Sequence, residues 1–347
     1  VTTAVEGLRG IPAFYQLFGM DQSIIIYITL GILLLLFGLQ RFGTDVVGKA
    51  FGPAMFCWFS FLGLVGIMNF GQDLSVIRAL NPIYAVRLLF NPENRLGILI
   101  LGNIFLATTG AEALYSDMGH VGKRNIHLSW PYVKICLILN YLGQAAWLNR
   151  AIDSGKYTEV ENLNPFFMIL PETWLIFGVF FATIAAIIAS QALLSGSFTL
   201  VSEAIKLHFL PRLKLVYPGT SIGQVYIPTV NFILWIVCSL IVITFRTSSH
   251  MEAAYGLSIT VTMLMTTFLL YFYLIQSKRS KVLAIVITSF FAVIETIFFI
   301  SSAAKFFHGG FVAVIMALMI LFLMSVWQWG NVIEERESVE VDLKDFI

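Results

Sequence analysis

Ser23-Ile24-Ile25-Ile26-Tyr27-Ile28-Thr29-Leu30-Gly31-Ile32-Leu33-Leu34-Leu35-Leu36-Phe37-Gly38-Leu39-Gln40 runs for eighteen residues without a charged side chain. A helix needs ~20 apolar residues to cross the ~30 Å of hydrocarbon in a bilayer, and this stretch comes close. Eight more follow, at roughly 50–70, 96–116, 130–149, 172–204, 226–245, 253–275, 282–304 and 310–330. The stretch 172–204 is too long for one straight crossing, so it must tilt or protrude beyond the headgroups. The sequence thus predicts an all-α integral membrane protein with about nine transmembrane helices.

Composition agrees. The 347 residues are 58% hydrophobic and 12% charged, against ~25% charged in a soluble domain. A secreted disulfide scaffold, a disordered tail and a nucleic-acid binder are excluded. Net charge is +1, from 21 Lys+Arg and 20 Asp+Glu, so no global field recruits an acidic partner. Six acids crowd the last fourteen residues (Glu334, Glu335, Glu337, Glu340, Asp342, Asp345), leaving a body of 19 bases and 14 acids. Cys57, Cys136 and Cys238 lie in apolar runs, and an odd number of such thiols points to packing. The chain opens at Val1 and runs straight into Thr2-Thr3-Ala4-Val5-Glu6-Gly7-Leu8, which reads as a start inside a helix and the chain as a fragment.

Basic residues in the connections set the orientation. Arg41, Lys49, Lys123, Arg124, Lys206, Arg212, Lys214, Lys278, Arg279 and Lys281 fall on one side, which is taken as cytoplasmic together with the C-terminal stub. Arg9, Arg78, Arg87, Arg95, Arg150, Lys156, Arg246 and Lys305 fall on the other. The segment 71–95 mixes Asp73, Arg78, Arg87 and Arg95 with apolar residues and two prolines, and reads as short helices along the outer face.

A charge at the centre of a membrane helix costs at least about 2.5–3.5 kcal/mol on insertion scales, so each needs a reason. Leu106-Ala107-Thr108-Thr109-Gly110-Ala111-Glu112-Ala113-Leu114-Tyr115-Ser116-Asp117-Met118-Gly119-His120 places two carboxylates, several hydroxyls and two glycines at the end of an apolar helix. On a helix, Thr109, Glu112 and Ser116 share one face, and Thr108, Glu112 and Tyr115 form a neighbouring stripe. Gly110 permits local unwinding, which frees carbonyls beside a carboxylate. Hard oxygen ligands of this kind suit a weakly hydrated monovalent cation, or a proton that comes and goes. The competing reading of Glu112 is a neutral acid bonded to a neighbouring helix; that of Asp117 is a pair or cap with Lys123 and Arg124.

Further polar groups stand elsewhere in the spans. Asn140, Tyr141 and Gln144 suit interhelical glue or ligand contact equally. Ala182, Ala186 and Ser190 form a small-residue stripe, and Ser190-Gln191-Ala192-Leu193-Leu194-Ser195-Gly196-Ser197 brings hydroxyls, Ser195 among them, that suit a pathway lining. Tyr255, Ser258 and Thr262 share a face of a small, hydroxyl-rich helix start behind Glu252. Glu295 stands alone amid Phe290, Phe291, Phe298 and Phe299 and reads as structural. No G-x-S-x-G elbow, H-E-x-x-H pair or phosphate-binding loop occurs, so a membrane-embedded enzyme or an ATP-driven pump finds no support in these residues.

The run from Thr109 to His120 resembles the signature of the KUP/HAK/KT potassium uptake transporters. Gly48-Lys49, Phe51-Gly52-Pro53, Ala79-Leu80-Asn81-Pro82, Leu139-Asn140-Tyr141-Leu142-Gly143-Gln144, Asn164-Pro165-Phe166-Phe167, Ile188-Ala189-Ser190-Gln191-Ala192, Gly223-Gln224-Val225-Tyr226-Ile227-Pro228 and Ala253-Ala254-Tyr255-Gly256 match in the same order, over roughly residues 1–330. The resemblance implies an amino acid–polyamine–cation superfamily fold of two five-helix inverted repeats. It implies proton-coupled potassium uptake at the plasma membrane, with cation sites where the first and sixth helices break. On that reading the segment around Thr109–Glu112 takes the sixth-helix position, and Glu112, Thr109, Thr108, Tyr115, Asp117, Tyr255 and Ser195 line the potassium and proton pathway. Residues 1–22 would end the third helix and its outer loop, 23–330 form the transmembrane domain, and 331–347 begin an acidic cytosolic domain. The family's G-D-x-G-T-S-P-L-Y and G-E-x-x-I-T-P motifs are absent from these residues, so half of a two-sided site lies elsewhere. The resemblance calls for no cofactor beyond the transported potassium and protons, and leaves room for a homodimer through the cytosolic domain. An amino acid or polyamine permease of the same fold is the alternative, although a carboxylate at the break suits a cation better than a substrate carboxylate.

Overall fold

The computed structural model of the chain describes residues 1–19, 21–42, 45–91, 97–110, 123–155, 164–217, 225–277 and 280–337. Among them the fold is helical, with a lone antiparallel bridge between Val216 and Tyr226. The first helices are α1 (Thr2–Glu6), α2 (Pro12–Phe18), α3 (Gln22–Leu39), α4 (Asp45–Phe70) and α5 (Pro82–Phe90). They are followed by α6 (Leu101–Ile104), α7 (Lys123–Asp153), α8 (Pro165–Met168) and α9 (Glu172–Lys206). The last four are α10 (Pro228–Phe245), α11 (Ser248–Gln276), α12 (Lys281–Ala303) and α13 (Gly310–Glu337).

Local chemistry sets several of the starts. Pro12, Pro82, Pro165 and Pro228 each occupy the first turn of a helix, where the missing N–H is no loss. Asp21 accepts from Ser23 N at 2.9 Å and Asn81 from Ile83 N at 3.1 Å, capping α3 and α5. Asp73 caps the 3-10 turn Leu74–Leu80 in the same way. Hydrogen bonds from the Ser75 hydroxyl and N–H hold its carboxyl below the usual carboxylate range.

Seven described helices are long and apolar enough to cross a membrane: α3, the Ala50–Phe70 part of α4, α9, α10, α11, α12 and α13. Two expected spans are not among these seven. The stretch 130–149 lies within α7, a 31-residue helix too polar to qualify. Of the stretch 96–116, the described part is α6 flanked by 3-10 turns at Gly97–Ile100 and Phe105–Thr108, a run too short to cross alone. Helix α9, at 35 residues, is about 50 Å long and outreaches the hydrocarbon, as its sequence suggests. Residues 71–91 form two short helical pieces whose apolar side chains are largely exposed. Helix α13 continues past residue 330 to Glu337.

Two apolar clusters organise the packing. Leu33, Leu36 and Phe37 of α3 meet Leu194 and Phe198 of α9, Val242 of α10 and Ile227. Phe61 and Val65 of α4 meet Leu175 and Val179 of α9 and the Phe167–Leu170 turn. Helix α4 also crosses α7 backbone to backbone. A Cβ on Gly66 would overlap the Leu139 carbonyl and lie 2.6 Å from Asn140 N, and one on Gly143 would lie 2.6 Å from Gly66 O. Asn140, 3% exposed, donates to Leu62 O at 3.2 Å and accepts from Gln144, so the pair ties α4 to α7. Of the cysteines, Cys136 is buried and Cys57 exposed, and none is in a disulfide.

Candidate functional site

The helical run that includes α6 stops at Thr108. Thr109 is extended (φ −69°, ψ 164°), and Gly110 has φ +116°, a conformation that side-chain-bearing residues rarely adopt. The unwinding expected at Gly110 is therefore present. The Thr109 hydroxyl turns back to donate to Leu106 O at 2.8 Å. The Tyr255 hydroxyl, from the second turn of α11, donates to Thr109 Oγ1 at 3.5 Å, the long limit of such a bond. Two oxygens from separate helices thus meet beside an interrupted backbone.

Helix α12 fixes the helical run before Thr109. Ser301 Oγ accepts from Gly102 N at 2.8 Å and donates to Leu99 O at 2.7 Å. Lys305 donates to Asn103 Oδ1, and Phe105 stacks on Phe298 with ring centroids 5.3 Å apart. Gly256 lies against Phe105, Leu106 and Ser302, which lets α11 approach the break closely. The first turn of α11 is held by Glu6, whose carboxylate accepts from Ser248 N at 3.2 Å and Ser248 Oγ at 2.7 Å. These supports were not expected from the sequence; a lone serine or a terminal glutamate carries no local pattern that announces a long-range partner.

Tyr255, Ser258 and Thr262 are all exposed along one face of α11, with the Ser258 and Thr262 hydroxyls bonded to their own helix. Ser195 is exposed on α9, which packs on α4 and α1. Glu112, Tyr115 and Asp117 lie outside the described residues, as does the side chain of Thr108. Among the described residues no group of three or more His, Cys, Asp or Glu side chains is placed to hold a metal ion.

Residues 1–332 match the family described as the K+ potassium transporter integral membrane domain. A potassium transport system protein Kup of Enterococcus faecalis is 66% identical over all 347 residues, which cover 52% of its own length. A Kup 1 protein of Lactococcus lactis subsp. cremoris is 57% identical over 347 residues, 51% of its length. A Kup protein of Clostridium perfringens is 56% identical over 334 residues, 96% of this chain and 51% of the relative. The chain spans about half the length of the curated relatives it matches. No solved structure matches it.

Proposed function

The chain belongs to the K+ potassium transporter family, and on that premise we propose that the protein containing it imports potassium by symport with protons across the plasma membrane. The relatives' names support the substrate: each names a potassium transport system. The observation that carries the mechanism is the break at Thr109–Gly110 beside the Tyr255 hydroxyl.

Potassium is large and weakly hydrated, and a protein binds it by replacing water with neutral oxygens. The Thr109 and Tyr255 hydroxyls offer two, and main chain released from helical bonding supplies more. Glu112, two residues past Gly110, adds the negative charge. With Glu112 ionised, the site favours a cation; with Glu112 protonated, that attraction is lost and the ion can leave. For symport the proton crosses in the same inward step as the potassium and reaches Glu112 only once the site opens to the cytoplasm, so the two gradients are coupled without a nucleotide. Tyr115, Asp117, Thr108 and Ser195 complete the pathway in this reading. The architecture that accommodates it is nine of the helices of an amino acid–polyamine–cation transporter, with the C-terminus cytoplasmic and with dimerisation left to the cytosolic domain.

The test is Glu112→Gln in the full-length protein. Rubidium uptake is expected to be abolished, or to lose its dependence on external pH, with the protein still present in the membrane. Unchanged uptake with unchanged proton dependence would overturn the role given to Glu112.

A further inference from the structure

Helix α12 contains one acid, Glu295, the fifteenth of its 23 residues. At ~1.5 Å per residue it lies about 21 Å from one end of the helix and 12 Å from the other, at membrane depth. The side chain is 8% exposed. Its Oε1 accepts from the Thr267 hydroxyl of α11 at 2.8 Å, while Oε2 is buried without any hydrogen-bond partner.

The acid stands on a polar row. Thr288, Glu295 and Ser302 follow each other at two-turn spacing on α12, and Thr260 and Thr267 do so on α11, all of them buried. Thr260 and Thr288 bond back into their own helices, whereas Ser302 Oγ, like Glu295 Oε2, has no partner. Ser302 lies against Gly256, the neighbour of Tyr255. The seam between α11 and α12 therefore starts at the break and reaches Glu295 about 10 Å further along the axis.

An ionised carboxylate here leaves a charged oxygen without a donor in a dry medium, whereas the neutral acid leaves only a hydroxyl. Thr267 is the polar group of α11 that reaches the carboxyl. Tyr271 lies one turn beyond it, and His250 and Glu252 lie at the far end of α11. Residues 97–108, the other run packed on α12, contain no titratable side chain. On α12 the nearest charges are Lys281 at its start and Lys305 just past its end. Among the described residues no counter-charge fixes the acid in one state, and one of its two oxygens has no partner. That combination marks a group whose protonation changes during function.

We propose that Glu295 is a second proton-binding site of the transport domain: Thr267 positions the carboxyl, and the unpartnered oxygen takes up and gives back a proton through the α11–α12 seam. The inference rests on the reading of the protein as a proton-coupled transporter. The proton adds to the carboxylate without any other bond changing, and leaves to water admitted to the seam.

The experiment uses the full-length protein in proteoliposomes, with infrared difference spectra between acid and alkaline pH and rubidium uptake across the same range. A protonated-carboxyl band that Glu295→Gln removes is expected. The pH profile of Glu295→Gln uptake is expected to flatten to less than twofold where the parent varies about tenfold. Thr267→Val, which deprives the ionised form of its donor, should move the band's midpoint to higher pH and decides the matter if Glu295→Gln does not reach the membrane. An unchanged band and a superimposable profile in Glu295→Gln, or an unmoved midpoint in Thr267→Val, would overturn the proposal. A parent whose uptake ignores pH would overturn proton coupling instead, and the band alone would then decide Glu295.

Discussion

The crossing of α4 and α7 and the junction of residues 97–110 with α11 and α12 join helices in different proportions of backbone packing and side-chain bonding. At the crossing, Gly66 and Gly143 bring the two backbones into direct contact, with the Phe61 cluster alongside. At the junction, beside the Phe105–Phe298 stack, contact includes a set of side-chain hydrogen bonds: Ser301 to Gly102 and Leu99, Lys305 to Asn103, and the long Tyr255–Thr109 bond. Lipid tails are as apolar as leucine, so helices in a membrane gain little from burying apolar surface against each other. Close backbone packing gives a contact with one good arrangement. Hydroxyl bonds can be exchanged for other partners, water or ions included. The difference separates a fixed scaffold from a part able to rearrange.

Gly66→Leu probes the scaffold and carries the largest expected effect. Its side chain has no room beside Leu139 and Asn140 unless α4 and α7 separate. Overpacking of this kind costs about 1–3 kcal/mol or more, and the purified protein should melt markedly earlier in detergent or fail to assemble. Unchanged melting would erase the contrast. Ser301→Ala should cost less: it leaves Gly102 N without its acceptor and Leu99 O without a donor, at about 1–3 kcal/mol for the unsatisfied buried group. A lower melting temperature with faster amide exchange at Gly102 checks it. Tyr255→Phe removes one long, exposed bond and should shift stability by less than about 0.5 kcal/mol. Rubidium uptake by the full-length variant should nonetheless show a raised KM. A stability loss as large as that of Ser301→Ala, with uptake unchanged, would make Tyr255 part of the scaffold.

The sequence discloses the parts of this arrangement that are local. Ser23–Gln40 is legible because eighteen uncharged residues leave one solution in a bilayer, and α3 spans Gln22–Leu39. The break is legible because Gly110 sits among hydroxyls and a carboxylate where an apolar helix should continue. The α4–α7 crossing is harder to read, because Gly66 and Gly143 are far apart in the chain, although Ser60, Gly63 and Gly66 repeat every three residues on α4 and all face α7. The visible stripe, Ala182, Ala186 and Ser190, is only partly buried on α9. Ser301 is equally hidden: Ser190 and Ser258 bond the carbonyl four residues back in their own helices, whereas Ser301 reaches another helix. The stretch 130–149 looks like a span by its apolar residues, yet Lys134, Asn140, Gln144 and Asn149 interrupt it within α7. The carboxylates proposed for the pathway, Glu112 and Asp117, lie outside the described residues, so the sequence alone speaks for them.

The most direct measurement is rubidium or potassium uptake by the full-length protein in cells stripped of their own potassium systems, at two external pH values. The account predicts uptake that rises as the medium is made more acidic. No uptake, with growth rescued instead by an amino acid, would contradict it and leave only the fold standing.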